Sequence, residues 1–135
     1  QVYKGDKGNY AEDSEVLPSN KYGWSKMGGE CAVTMYDNSL IFRASMCEEP
    51  FPHPKAVKDA KKSLIYQADA AIIVLSLLDK TGIINLGGPP QTIYAFVKDK
   101  KPEIGAIYLK DIDDVYMPTD TTLNITKMKR LLEHE

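Results

Sequence analysis

Residues 18–30 have the sequence PSNKYGWSKMGGE, which begins like a loop and continues like a helix. Pro18 and the polar pair Ser19-Asn20 are residue types that commonly start a helix, and no proline follows between positions 22 and 37. Residues four apart lie on one face of a helix, so the Tyr22 phenol and the Lys26 ammonium should point the same way. A nearby cation stabilises a phenolate, which suits a tyrosine that exchanges a proton with a substrate. Tyr22 and Lys26 are therefore candidate catalytic residues.

The spacing of this pair is not specific by itself. Tyr3 with Lys7, and Tyr94 with Lys98, have the same separation. At most one of the three pairs is expected to be catalytic, so the distinction must come from the surrounding sequence.

The surrounding sequence supplies a family resemblance. The pattern Pro-x-Asn-x-Tyr-Gly-x-Ser-Lys-x-x-Gly-Glu at 18–30 resembles the active-site helix of the extended short-chain dehydrogenase/reductases that act on nucleotide sugars. Within that family it looks most like the dTDP-4-dehydrorhamnose reductase branch. Further similarity lies at 2–13, 40–45, 81–88 (TGIINLGG) and 117–128, so the resemblance covers nearly the whole chain but only the later part of a family member.

The resemblance implies an α/β fold: the C-terminal portion of a Rossmann-like extended short-chain dehydrogenase/reductase, lacking the N-terminal dinucleotide-binding strands. We expect a single partial domain in which residues 1–45 end the Rossmann-like part and carry the Tyr/Lys helix, and residues 46–135 form the substrate-binding lobe. The chain contains no Gly-x-Gly-x-x-Gly stretch, the pattern that brings a backbone close to a pyrophosphate. Because the first residue is Gln1 rather than methionine, we expect a fragment or a processed product.

The function implied by the resemblance is reduction of the 4-keto group of dTDP-4-dehydrorhamnose, or of a related nucleotide-linked 4-keto-6-deoxysugar, with NADP or NAD as the nicotinamide cofactor. Tyr22 would donate the proton to the substrate carbonyl. Lys26 would hydrogen-bond the nicotinamide ribose, and the resemblance implies that both residues contact the cofactor. Arg43 could pair with the substrate diphosphate, because a guanidinium suits such oxygens; a structural salt bridge is the alternative. Without a cofactor platform, this polypeptide alone is predicted to have no reductase activity.

Two other functions remain open. The chain could be a non-catalytic regulatory or binding subunit of the same family, with Tyr22 and Lys26 as inherited residues, or part of a nucleotide-sugar epimerase or dehydratase. The expected partners are a nucleotide-sugar substrate and either the missing N-terminal segment or a second copy of the chain. A formal charge of −2 gives no indication of nucleic-acid or membrane-surface binding.

The remaining bulk features exclude several classes of site. Cys31 and Cys47 are too few for a disulfide framework, which favours a reducing, cytoplasmic location, and Cys31 is expected to be a buried free thiol. No apolar run is long enough to span a bilayer. The acidic group Asp111, Asp113 and Asp114 lacks the spacing of a calcium loop, so no metal site is predicted.

Periodicity predicts alternating strands and helices. Strands are expected at 39–44, 63–66, 83–86 and 104–109, and helices at 22–36, 69–78, 92–98 and 124–133. Two faces are expected on the first helix, a core stripe of Trp24, Met27, Cys31 and Met35, and an opposite face of Tyr22, Lys26, Gly29 and Val33. A short helix is expected to present Lys55, Lys58 and Lys62 on a solvated face, and His53 is expected at the surface.

Overall fold

A computed structural model describes residues 2–113 and 116–134 of the chain. Short strands alternate with helices along these residues, so the predicted α/β class is confirmed. The helices are α1 (Lys21–Thr34), α2 (Gln67–Ser76), α3 (Ile93–Lys100) and α4 (Thr126–Glu133). The strands are β1 (Leu40–Ala44), β2 (Met46–Cys47), β3 (Lys55–Val57), β4 (Lys61–Lys62), β5 (Ile65–Tyr66), β6 (Gly82–Leu86), β7 (Gln91–Thr92) and β8 (Gly105–Ile107).

The longest strand pair is β1 with β6, which run parallel from Leu40 opposite Gly82 to Ala44 opposite Leu86. The pairs β2–β5 and β3–β8 are also parallel, whereas β4–β7 is antiparallel. Parallel neighbours need a crossover connection, and α2 lies in the connection between β1 and β6. The order strand, helix, strand that the sequence predicted for residues 63–86 is therefore present.

The described residues form three buried apolar clusters. One lies between α2, α4 and β6 and contains Ala70, Leu77, Ile84, Leu86 and Met128. A second surrounds α3 and β3, and includes Ala56, Val57, Ile93, Val97 and Ile104. The third joins the start of the chain to its end through Val2, Tyr3, Tyr10 and Leu123. The first of these clusters packs against β6, and β6 pairs with β1. The core therefore holds β1 in place beside α1.

The N-terminal segment is held by side chains more than by strand pairing. Tyr3 forms an isolated antiparallel bridge with Val16, and its ring stacks on that of Tyr10 with centroids 4.9 Å apart. The Tyr10 hydroxyl accepts hydrogen bonds from three successive backbone N–H groups, those of Gly5 at 2.9 Å, Asp6 at 2.9 Å and Lys7 at 3.1 Å. The polar loop is thus folded around one phenol oxygen.

The outer face of α1 differs from the prediction. Trp24 and Cys31 are exposed and Met35 is 84 % exposed, so the expected core stripe and the expected buried Cys31 thiol are wrong. Met27 alone of that set is partly buried, against the Tyr3 and Tyr10 cluster. The spacing of apolar residues indicates which of them share one face of a helix. It does not indicate whether another element packs on that face.

The lysine-rich segment also differs from the prediction. Lys55 begins β3 and Lys62 ends β4, so the expected short helix with a shared lysine face is wrong. In extended backbone, neighbouring side chains point to opposite faces, so Lys61 is exposed while Lys62 turns inward.

Candidate functional site

A cleft of about 410 Å³ lies between α1 and the carboxyl end of β1. Helix α1 contributes one face to it, consisting of Tyr22, Lys26, Gly29, Glu30 and Val33. Residues 40–46 form the opposite wall, and Val2, Tyr3, Thr121 and Leu123 complete the lining. The structure therefore brings together the four residues that the sequence placed on the second face of the helix.

The start of α1 is fixed by Asn20. Its side-chain oxygen accepts a hydrogen bond from the Gly23 N–H at 2.8 Å, which satisfies one of the free donors at the helix N-terminus. Pro18, just before it, is buried. The polar start of the sequence motif thus places Tyr22 in the first turn of the helix, at the mouth of the cleft.

Tyr22 and Lys26 are adjacent and open to solvent. The Lys26 ammonium lies 5.4 Å from the centre of the Tyr22 ring, and Tyr22 is 64 % exposed. One turn further, Gly29 presents no side chain, and a Cβ added there would meet no atom within 4 Å. A ligand can therefore approach the phenol and the ammonium together, with room beside them.

The other two Tyr/Lys pairs have different surroundings. Lys98 donates to the Tyr94 hydroxyl at 3.2 Å on the exposed surface of α3. The Tyr3 phenol is buried, and its hydroxyl donates to Asn85 Oδ1 at 2.7 Å. Burial raises the pKa of Tyr3, against the opposing effect of hydrogen bonds from Arg43 and to Asn85, so this phenol stays protonated at neutral pH.

Arg43 joins β1 to α1. Its Nε donates to Glu30 Oε2 at 3.1 Å, its Nη2 donates to the second Glu30 oxygen, and both side chains are 9 % exposed. Nη1 donates to the Tyr3 hydroxyl at 2.9 Å and to the Glu12 carbonyl at 3.0 Å. The structural salt bridge is therefore present, and most of the guanidinium is engaged inside the protein. The contact to a substrate diphosphate stays a prediction, supported only by the position of Arg43 on the cleft wall.

Sequence reasoning missed the network behind the cleft wall. Asn85 is fully buried in β6, and its amide nitrogen donates to the carbonyls of Tyr10 at 2.8 Å and Asn124 at 3.2 Å. Its backbone N–H donates to a Glu12 carboxylate oxygen at 3.0 Å. One signal was available, since an asparagine interrupts an otherwise apolar strand, and a buried amide needs partners.

The other features predicted from the sequence add no second candidate functional site. His53 is exposed, as predicted, and its ring meets the edge of Phe51 with centroids 5.4 Å apart. Residues 2–113 and 116–134 contain no group of three or more side chains suited to hold a metal ion; Asp114 of the predicted acidic turn lies outside them. No helix within the same residues combines the length and the apolar character needed to cross a membrane.

Comparison with known proteins relates this fold to solved structures. No protein-family model and no curated protein matches the sequence. A hypothetical dTDP-4-dehydrorhamnose reductase from Sulfolobus tokodaii is similar at a TM-score of 0.79 and 25 % identity, over 96 % of this chain and 54 % of that one. A dTDP-4-dehydrorhamnose reductase from Bacillus anthracis in complex with NADP matches at a TM-score of 0.78 and 18 % identity, over 96 % and 55 % of the two chains.

A third solved structure has a different enzyme name. It is the UDP-glucuronic acid 4-epimerase from Bacillus cereus in complex with NAD, with a TM-score of 0.69 and 18 % identity, over 99 % of this chain and 51 % of that one. At 18 % identity, the two Bacillus structures show the fold alone. The chain spans about half the length of the structures that it matches. With the predicted helix lining the cleft, the chain is similar in fold to part of these dTDP-4-dehydrorhamnose reductase structures, in agreement with the resemblance seen in the sequence.

Proposed function

We propose that this chain is the part of a nucleotide-sugar reductase that carries the Tyr/Lys pair and the substrate side of the cleft. The substrate would be dTDP-4-dehydrorhamnose or a related nucleotide-linked 4-keto-6-deoxysugar, reduced at C4. The observation that carries the proposal is the position of Tyr22 and Lys26 on one open cleft, in a chain similar to a dTDP-4-dehydrorhamnose reductase at 25 % identity.

Each residue has one task in this reaction. Tyr22 donates its phenolic proton to the ketone oxygen, and Lys26, one turn away, stabilises the phenolate that remains. Tyr22 is exposed at the cleft mouth, so a carbonyl oxygen can reach hydrogen-bond distance without any movement of the core. Glu30 and Arg43 hold α1 against β1 and thereby keep the phenol at the strand end.

A nicotinamide cofactor fits this side of the cleft. When bound, it supplies the hydride for the reduction. Tyr22 and Lys26 are the residues of this chain that would contact its ribose, and the open space beside Gly29 leaves room for the ring. Since the sequence contains no glycine-rich pyrophosphate loop, we expect the 135-residue chain alone to oxidise no NADPH when a 4-keto sugar nucleotide is present.

Calorimetric titration of the chain with a dTDP-linked deoxysugar tests the proposal. We expect saturable binding that Tyr22→Phe or Lys26→Met weakens roughly fivefold, since each removes about one hydrogen bond to the ligand. The matched controls are Tyr94→Phe and Lys98→Met, which alter a pair of the same spacing on the surface of α3. These controls should leave the affinity unchanged.

Two results would overturn the proposal. One is binding that both sets of variants leave unchanged, which would show that the ligand does not lie in the cleft. The other is no binding by a chain whose circular dichroism shows that it is folded. That second result would favour a non-catalytic family member.

A further inference from the structure

Ser45 is a buried residue in the wall of the cleft. It lies between β1 and β2, lines the cleft and is 6 % exposed. Its backbone N–H donates to the Leu86 carbonyl at 3.0 Å, and its carbonyl accepts from the Ile65 N–H at 3.0 Å. These bonds to β6 and β5 fix the main chain at Ser45, so its hydroxyl moves only by rotation about the Cα–Cβ bond.

The Ser45 hydroxyl has no hydrogen-bond partner within the described part of the chain. Among residues 2–113 and 116–134, it is the one buried side-chain oxygen or nitrogen in that condition. Burying a hydroxyl without a partner costs free energy, and alanine at this position would avoid the cost. A ligand that completes the hydrogen bonding of Ser45 therefore explains the serine better than the packing of the protein does.

The direction and surroundings of Ser45 point to the cleft. Ser45 continues the hydrogen bonding of β1, and side chains alternate along a strand, so it lies on the same side as Arg43, whose guanidinium reaches Glu30 on α1. Residues 40–46 form this wall, and Arg43 and Ser45 are its polar side chains. Since Arg43 is already paired with Glu30, Ser45 is the polar group of this wall that can take a new partner.

The chemistry of the wall favours a neutral hydroxyl as that partner. A phosphate needs a cation or several donors beside it, whereas this wall offers one serine hydroxyl and an arginine whose charge Glu30 balances. A sugar hydroxyl both donates and accepts hydrogen bonds, as a serine hydroxyl does, so the two can pair in either direction. The apolar neighbours Phe42, Ala44 and Met46 suit the carbon face of a sugar ring.

We propose that Ser45 is a substrate-binding residue whose hydroxyl forms a hydrogen bond with a hydroxyl of the sugar ring. The inference rests on the proposed function and deepens it, because it assigns the residue that orients the sugar from the wall opposite α1. With the ring held at Ser45 on one wall and the C4 oxygen at Tyr22 on the other, the ketone keeps one orientation toward the phenol.

Calorimetric titration with two probes tests this contact: dTDP-rhamnose, the alcohol that reduction at C4 would give, and dTDP, which lacks the sugar. Ser45→Ala should lower the affinity for dTDP-rhamnose about fivefold, the effect of one neutral hydrogen bond, and should change the affinity for dTDP less than about twofold. A residue that only supported the fold would alter both affinities alike.

Urea unfolding of the free chain provides a second readout. Because the Ser45 hydroxyl has no partner among the described residues, Ser45→Ala should unfold at the same urea concentration as the wild type or at a higher one. The matched control is Ser63→Ala, since Ser63 is fully buried and its hydroxyl accepts a hydrogen bond from the Leu123 N–H at 2.9 Å. That variant should unfold at a lower urea concentration and should not distinguish dTDP-rhamnose from dTDP.

The inference is overturned by an unchanged dTDP-rhamnose affinity in Ser45→Ala, by equal losses for both probes, or by unfolding of Ser45→Ala at a urea concentration as low as that of Ser63→Ala. If Tyr22→Phe weakens dTDP-rhamnose binding and Ser45→Ala does not, the proposed function stands and this contact alone is wrong. If the folded wild type does not bind dTDP-rhamnose, the proposed function fails and this inference fails with it.

Discussion

At the residue scale, the Glu30–Arg43 pair links α1 to the neighbouring strand β1. Glu30 lies one turn after Lys26 on α1, and Arg43 lies on β1. The two hydrogen bonds from Arg43 to Glu30 therefore connect the two walls of the cleft. Both side chains are almost fully buried. A buried ion pair of this kind contributes little net stability compared with apolar packing, but removing one partner leaves a buried charge without compensation.

Glu30→Gln is therefore expected to lower the free energy of unfolding by about 3 kcal/mol, because the Arg43 charge loses its counter-ion. Urea unfolding followed by circular dichroism measures this. The control is Glu49→Gln, which breaks the exposed pair of Glu49 with Lys100 and should change the free energy of unfolding by less than about 0.5 kcal/mol. If both variants lowered the free energy of unfolding by a similar amount, burial would not make the Glu30–Arg43 pair more sensitive than the Glu49–Lys100 pair.

The sequence predicted some residues of the site and not others, for a physical reason. Tyr22 and Lys26 were found because their spacing depends only on the helix that contains them. Lys62 was expected on a solvated helix face, and Cys31 in the core, because exposure depends on contacts with residues distant in the sequence. Glu30 stood in the quoted motif, but its pairing with Arg43 across two elements could not be derived from either position alone.

At the element scale, β6 determines where the site lies. It pairs with β1 along its whole length and contains Asn85, whose hydrogen bonds reach Tyr10 and Asn124. Immediately after β6, the chain passes close to the backbone of residues 63 and 64. A Cβ on Gly87 would lie 2.4 Å from the Ser63 carbonyl oxygen, closer than side-chain atoms come to backbone.

Gly87→Ala should consequently lower the free energy of unfolding by about 1 to 3 kcal/mol, since the two backbone segments must separate. Gly28→Ala is the matched control. A Cβ on Gly28 would meet no atom within 4 Å, so alanine should raise the free energy of unfolding by up to about 1 kcal/mol through its higher helix propensity. Denaturant unfolding of both variants provides the comparison, and a loss of the same size in both would contradict the close approach at Gly87.

The elements α1, α2, α4 and β6 lie within about two residues of the positions predicted for them. The segment from Lys55 to Lys62 was predicted as a helix and is two short strands. In such short strands the partners decide the structure: β3 pairs with β8 and β4 with β7, both distant in the sequence. Local propensity carries no information about those partners.

At the scale of the whole molecule, the two predicted regions are joined closely. The division into residues 1–45 and 46–135 stays a prediction, but β1 of the first region pairs with β6 of the second. Tyr3 adds a second link, since it contacts Arg43, Asn85 and the Tyr10 ring. The predicted partner, a missing segment or a second copy of the chain, also stays a prediction.

Stability at alkaline pH should depend on Tyr3. Burial raises the folded-state pKa of Tyr3 above its ordinary value of 10.0. The folded state therefore keeps this proton at a pH where the unfolded chain has lost it, so the contribution to stability is full below that ordinary pKa and is lost as pH rises through the folded-state pKa. Between roughly pH 9 and about pH 11, the free energy of unfolding should fall more steeply for the wild type than for Tyr3→Phe.

Urea unfolding across that pH range measures the two slopes. Tyr36→Phe is the control, because Tyr36 is exposed, and its slope should equal that of the wild type. Parallel curves for the wild type and Tyr3→Phe would show that ionisation of Tyr3 is not linked to unfolding.

The loop around the Tyr10 hydroxyl has a consequence for hydrogen exchange. The amide protons of Gly5, Asp6 and Lys7 all end on the same oxygen atom. A fluctuation that withdraws the phenol therefore exposes the three amides to water at once, and they should share one protection factor against exchange with deuterium, each measured relative to its own intrinsic rate. In an ordinary loop, where each amide has its own acceptor, the three protection factors would be independent.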